Sequence, residues 1–252
     1  MIADLERDIG VCVGEYVGGR SEALADALAV VAGARAFQGL VGEIVGDQRR
    51  FGDVLERSVW HPNGFAKIVL LDAPEYRLRL HVWRRTAAIP VVVQENVHNH
   101  RWDFATAILA GGYRHQEFHA YGIPGEGGGG GGDGGDGGDG FYGYRYESAK
   151  DRTAYTLSPF GRQRLTRVFD AYLSQGSRYT LSSVVLHKVV PDVTQPAVSL
   201  VLEGPHQPTT VEVFAAEEIG PGTATPHTRL TPESLMRQLS AVAALPAFAY
   251  SH

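Results

Sequence analysis

Apolar positions change their period along the chain. Over the first 58 residues they recur with helical spacing, and beyond Lys67 they alternate or gather in short runs. Ala23 to Val31 is rich in strong helix formers, with Ser21 placed to cap it. Phe37, Leu40, Val41, Ile44 and Val45 follow the i, i+3, i+4 spacing of an amphipathic helix. Residues 1–58 are therefore expected to be helices that cover a sheet rather than carry chemistry.

From Lys67 the runs are short and rich in Val, Ile, Leu, Tyr and Trp. They predict strands at Ile68–Leu71, Tyr76–Arg85, Val91–Val93, Phe104–Leu109, Tyr113–Tyr121, Phe141–Glu147, Arg167–Leu173, Val184–Val190, Val198–Glu203 and Thr210–Phe214. So many short strands between Gly, Pro and Asp turns predict a sandwich or barrel, hence a mainly β protein. Near the end, Thr231-Pro232-Glu233 has the form of a cap followed by a first-turn proline. Leu235, Leu239 and Val242 then share one face of a C-terminal helix. The expected organisation is a helical region over 1–58, a β domain over 59–225 and a helix within 226–252.

One strand alternates strictly. Arg77, Arg79, His81, Trp83 and Arg85 share one face, and Leu78, Leu80 and Val82 share the other. If the leucine face packs under the helices, Arg79 and His81 look into the barrel, where a guanidinium suits a substrate carboxylate. The same pattern also fits a solvated outer strand.

Gly125–Gly140 is nearly all glycine, punctuated by Asp133, Asp136 and Asp139. Such a composition cannot bury a core, so a flexible hairpin loop is expected. Its Gly-Gly-Asp period lacks the apolar position that calcium-binding nonapeptide repeats require.

Composition narrows the function classes. The net charge of -5 argues against a nucleic-acid partner. Cys12 is the single cysteine, so neither an intrachain disulfide nor a thiolate zinc cluster can form. Acidic residues stand near the N-terminus where a secretory signal would be basic, and no apolar run approaches the ~20 residues that cross a bilayer. A cytoplasmic protein without membrane attachment is the expectation.

His98-Asn99-His100 is the strongest chemical signal. On an extended segment both imidazoles point to one side, and a third from a distant strand, His187, can complete one face of a metal ion. The competing reading is a pair of surface or hydrogen-bonded core histidines.

His98, His100 and the spacing to Gly111-Gly112 resemble the first motif of the cupin superfamily, although its glutamate position falls on Phe104 or Ala105. Counted from Gly176, the second motif falls on Ser182, Val184, His187 and Pro191; only the glycine and the histidine are retained. The resemblance covers roughly residues 67–215. It implies a double-stranded β-helix, a jelly-roll barrel of two antiparallel sheets, with inward-facing histidines holding iron, manganese, nickel, zinc or copper. The three-histidine ligand set without glutamate resembles that of cysteine dioxygenase and of ring- or diketone-cleaving dioxygenases within the superfamily. That favours Fe(II). Three neutral ligands leave the ion its full charge and open positions for an anionic substrate and dioxygen. The edge strands of such barrels often pair between subunits, so the resemblance also implies a homodimer. The 2-oxoglutarate oxygenases are disfavoured, because position 100 is histidine and no arginine stands near ten residues after His187.

Around this constellation, His115 and Glu117 are candidates for a fourth ligand or a proton-transfer pair, or else a polar face in solvent. Trp102, Phe104 and Tyr113 are candidate pocket walls, along with Arg79 and His81. Arg101 and Asp103 have the opposite parity, and one of them is expected to fix a neighbouring loop by a salt bridge. The leading expectation is an iron(II) dioxygenase or oxidase of a small polar or anionic metabolite. The alternatives are an isomerase or lyase using the ion as a Lewis acid, and a non-catalytic ligand-binding cupin.

Overall fold

A computed structural model describes residues 1–20, 22–61, 63–83, 95–122, 140–148, 154–192, 194–220, 225–226 and 228–245. Ser21, Arg85, the strand expected at Val91–Val93 and the glycine-rich stretch up to Asp139 lie outside the described residues.

Four helices open the chain: α1 (Ile2–Val17), α2 (Ala23–Ala32), α3 (Ala34–Gly46) and α4 (Gln48–Arg57). Asp47 caps α4, its carboxylate accepting from Arg49 N and Arg50 N at 2.9 and 3.0 Å. The last helix, α5 (Pro232–Ala243), starts as the sequence predicts: Thr231 Oγ1 accepts from Ser234 N at 3.2 Å, and Pro232 occupies the first turn, where its missing N–H costs nothing.

Fourteen strands among the described residues form two antiparallel sheets. The first has the order β14 (Thr228–Arg229), β1 (Val59–His61), β2 (Phe65–Asp72), β3 (Arg77–Trp83), β11 (Ala197–His206), β5 (Trp102–Ala110) and β9 (Arg178–Leu181). The second has the order β13 (Thr225–Pro226), β8 (Ala154–Ser174), β6 (Gly112–Gly122), β10 (Leu186–Pro191), β4 (Val97–His98), β12 (Glu212–Ala215) and β7 (Phe141–Ser148). The long β8 pairs with β7 through its first half and with β6 through its second, so the pairings of this sheet return to their start.

The helices bury one face of the first sheet. Leu24, Leu28, Leu40 and Ile44 share a core with Ile68, Leu70, Leu78, Leu80, Ala105, Ala107, Leu200 and Leu202, and Leu235 and Leu239 of α5 join them. These strand residues alternate with Lys67, Val69, Arg79, His81, Phe104, Thr106, Ser199 and Val201, which therefore face the second sheet and line a cavity. The leucine side of β3 thus packs under the helices, and its arginine side turns inward.

Some strand boundaries differ from those expected. β8 begins at Ala154 rather than Arg167, because Pro159, Phe160 and Gly161 form a bulge in which three residues face Gly143 and Tyr144; there the ladder tolerates a proline. β1 and β9 are strands that the alternation does not announce. The two motif glycines meet. Gly111 (φ 64°) and Gly176 (φ 89°) both adopt left-handed turns, Gly176 N donates to Ile108 O, and Gln175 N donates to Gly111 O, each at 2.9 Å. No single helix among the described residues is long and apolar enough to cross a membrane.

Candidate metal centre

β4 is two residues long, yet it is held on both sides. His98 lies opposite His187 of β10 and opposite Val213 of β12. Asn99, between the two histidines, locks the strand down: its Nδ2 donates to Thr210 O at 3.1 Å and its Oδ1 accepts from Glu212 N at 2.7 Å. His100 N donates to Ser183 O at 3.2 Å, tying the second histidine to the loop that leads into His187.

This bracing brings three imidazoles together. One ligand nitrogen from each of His98, His100 and His187 lies within 4.8 Å of the others. His100 Nε2 and His187 Nε2 are 2.9 Å apart. Two nitrogens bound at right angles to one ion at about 2.1 Å would stand about 3.0 Å apart, so this pair fits a shared cation. His98 Nδ1 is 2.9 Å from Asn96 O. A carbonyl can only accept, so Nδ1 is the donor here, which leaves Nε2 as the ring nitrogen that can face a metal. Burial, reinforced by His98, holds the pKa values of His100 and His187 well below the usual 6.5. Both rings are thus neutral at pH 7, the form that ligates. His187 Nδ1 is buried without a hydrogen-bond partner among the described residues.

The centre opens on a cavity of about 630 Å³ between the sheets. Trp102 stacks on His100 (centroids 5.5 Å apart) and on His206 (5.4 Å), and Phe104 meets the His100 ring edge-on at 5.3 Å. Tyr113 and Tyr179 join hydroxyls at 3.0 Å; burial raises both pKa values, that of Tyr179 to about 12, so both remain phenols. On the opposite wall Arg79 is ion-paired with Glu203, and its guanidinium lies 5.3 Å above the Trp102 ring. The protein thus already supplies Arg79 with a carboxylate, one the sequence does not announce. Burial lowers the Arg79 pKa and raises that of Glu203, and each holds the other's charge. His81, packed on Phe65 at 4.5 Å, is held neutral by burial, and its Nε2 has no hydrogen-bond partner among the described residues.

His115 and Glu117 do not line the cavity. They sit on β6 beside β10, with His115 Nε2 3.1 Å from Glu117 Oε1 and the His115 ring 5.4 Å from that of His187. The carboxylate facing the histidines is instead Glu95, whose Oε1 is 3.9 Å from His98 Nε2. Glu95 accepts from Val189 N at 2.6 Å and from Asn63 Nδ2 at 2.8 Å, and burial raises its pKa against the pull of His98. It stands three residues before His98, on the side the motif spacing does not search. Asp103 does fix a loop, but through hydrogen bonds: it accepts from Ser183 N and Tyr16 Oη, each at 2.6 Å. It thereby joins α1 to the approach to His187. Arg101 lies along the cavity.

No protein-family model and no curated protein matches this sequence. Among solved structures the chain is similar to hydroxypropylphosphonic acid epoxidase from S. wedmorenis, at 10% identity and TM-score 0.29, over 56% of this chain and 51% of that one. It is also similar to a hydroquinone 1,2-dioxygenase in complex with Cd2+ and 4-hydroxybenzonitrile (12%, TM-score 0.28, 56% and 63%). A third is the hydroquinone 1,2-dioxygenase from Sphingomonas sp. TTNP3 with 4-hydroxybenzoate bound (10%, TM-score 0.27, 56% and 65%). The chain spans about half to two thirds of the length of these proteins. Likenesses at this distance carry no argument about chemistry, which rests on the site itself.

Proposed function

We propose that this chain is a metal-dependent cupin enzyme, a non-haem iron(II) dioxygenase or oxidase of a small polar or anionic metabolite, with His98, His100 and His187 as the metal ligands. The observation that carries this reading is the convergence of three imidazoles, two of them held neutral by burial, at the wall of a cavity of metabolite size. Bound Fe(II) would supply a redox-active Lewis acid that orients substrate and dioxygen together. The chain's own part is to hold the rings by the Asn99 and Asp103 clamps and to keep Arg79, Trp102, Phe104 and Tyr113 against the bound metabolite. Two facing antiparallel sheets, the first of them covered by the helices, support the double-stranded β-helix of the superfamily, with the divisions at 58 and 225 as its limits. A cytoplasmic homodimer completes the reading.

A second reading, Lewis-acid isomerase or lyase chemistry, is favoured by one observation. Glu95 stands beside His98 with its pKa raised, the state of a general base poised nearer neutrality. His115 and Glu117, one strand away, are the remaining candidates for that role. Metal analysis of protein purified without added metal, followed by oxygen-electrode measurements on the Fe(II)-loaded protein with candidate metabolites, decides between the two. Substrate-dependent oxygen uptake is expected. Turnover without oxygen uptake, or with Mn, Ni, Zn or Cu as the retained ion and no redox chemistry, replaces the oxygenase with the Lewis-acid enzyme. Protein that refuses metal is a ligand-binding cupin.

A further inference from the structure

The wall facing the three histidines carries a charged group that the metal reading leaves without a task. Lys67, on β2, lines the cavity between Arg79 and His81 of the neighbouring strand β3; it pairs in register with His81 and lies diagonally from Arg79. Arg79 is neutralised by Glu203, and Arg77 by Asp72. Among the described residues Lys67 has no hydrogen bond and no ion pair within 4.0 Å. Of these three cations on β2 and β3, Lys67 is thus the one left without a carboxylate among the described residues. An enclosed, unpaired ammonium is costly, and a partner of opposite charge relieves that cost.

We propose that Lys67 is the anchor for the carboxylate of a ring-bearing monocarboxylate substrate, held across the cavity from the three histidines. The proposal rests on the metal-site reading for the placement of the reacting end, and it names the substrate class that the reading leaves open. A substrate carboxylate supplies to Lys67 the kind of partner that Arg77 and Arg79 already have. The planar body follows from the walls beside the lysine: Phe65 stacks with His61 and meets His81 at a tilt, at 4.5 Å each, and Trp83 continues the row at 4.9 Å from Phe65. Burial, followed by Arg79, lowers the Lys67 pKa to about 7 against the pull of Glu203. The ammonium is therefore half-discharged near neutral pH when the cavity holds no anion, and an incoming carboxylate restores its proton.

Benzoate and its neutral isostere benzamide are the probes, titrated by calorimetry into EDTA-treated full-length protein, so that neither result depends on a metal. Benzoate is expected to bind at least roughly tenfold more tightly than benzamide. Lys67→Met, which keeps an unbranched side chain one atom shorter and loses the charge, is expected to abolish that preference, and Lys67→Arg to retain part of it. Circular dichroism of each variant establishes that it is folded. Equal affinity of the wild-type protein for the two probes, no benzoate binding, or a preference unchanged in folded Lys67→Met overturns the proposal, whether or not any variant folds. Because the titration uses metal-free protein, loss of the benzoate preference leaves the three-histidine reading standing, and failure to load iron leaves the benzoate result standing.

Discussion

His98 and His187 stand directly opposite each other on adjacent antiparallel strands, and this pairing turns two residues 89 positions apart into neighbours. Strand side chains alternate, so a slip of one residue would send one ring to the far face of the sheet. The centre is therefore only as well defined as the register of a two-residue strand. Replacing His187 with alanine removes one of three ligands and is expected to lower metal affinity by about 100-fold or more. After dialysis the variant should retain little metal by elemental analysis, whereas alanine at the exposed His119 should leave the metal content unchanged.

Asp103 secures that register from outside the cavity. Asp103→Ala leaves Ser183 N and Tyr16 Oη without their acceptor, and should cost about 1–3 kcal/mol in urea unfolding. It should also weaken metal binding by roughly 10-fold, as the loss of a ligand-orienting group does. Tyr16→Phe removes only the link to α1. Metal affinity should therefore survive in that variant, with a stability loss of about 1 kcal/mol. Equal metal affinity in wild type and Asp103→Ala would show that the loop before His187 holds itself.

Much of this architecture is legible along the chain because its cause is local. Leucine at 78 and 80 against arginine at 79 and histidine at 81 is a parity statement, and parity survives any sheet topology. The pairing of the histidines is legible because the motif spacing carries it. Lys67, Glu95, Tyr179 and Glu203 are not legible in this way. Each becomes part of the site through the strand lying beside it, and lateral order is a property of the whole sheet. Glu203 joins Arg79 across β11 and β3, 124 positions away in sequence. The first half of β8 escapes for a local reason: Pro159 and Gly161 read as a turn, and the bulge that accommodates them appears only with β7 alongside.

Gly111 tests the turn that joins β5 to β6. A Cβ built there would lie 2.1 Å from Pro196 O, and the backbone is already left-handed. Gly111→Ala should destabilise by about 2–4 kcal/mol. Gly52, inside α4 with nothing within 4 Å of a built Cβ, offers the reverse case, and Gly52→Ala should stabilise by about 0.5–1 kcal/mol. Urea midpoints of the two variants should move in opposite directions.

Lys67 gives stability a pH dependence of known sign. Its folded pKa of about 7 lies below the ordinary 10.5. Between these values the unfolded chain binds a proton that the folded protein lacks, so this group makes stability rise with pH across the window. Below about 7 the cost of the enclosed charge is present in full. Lys67→Met should therefore be more stable than wild type by about 2–4 kcal/mol at pH 6, the difference shrinking toward pH 10. Melting curves at the two pH values measure it, and a difference that grows with pH would contradict the burial of this ammonium.

The most direct test of the central claim is an anaerobic titration of metal-stripped protein with Fe(II), read as iron retained per chain after gel filtration. Three converging imidazoles predict one tightly held ion per chain in the wild type and none when His98 and His187 are both replaced by alanine. Wild-type protein that emerges iron-free, or a double variant that still carries one ion per chain, would contradict it.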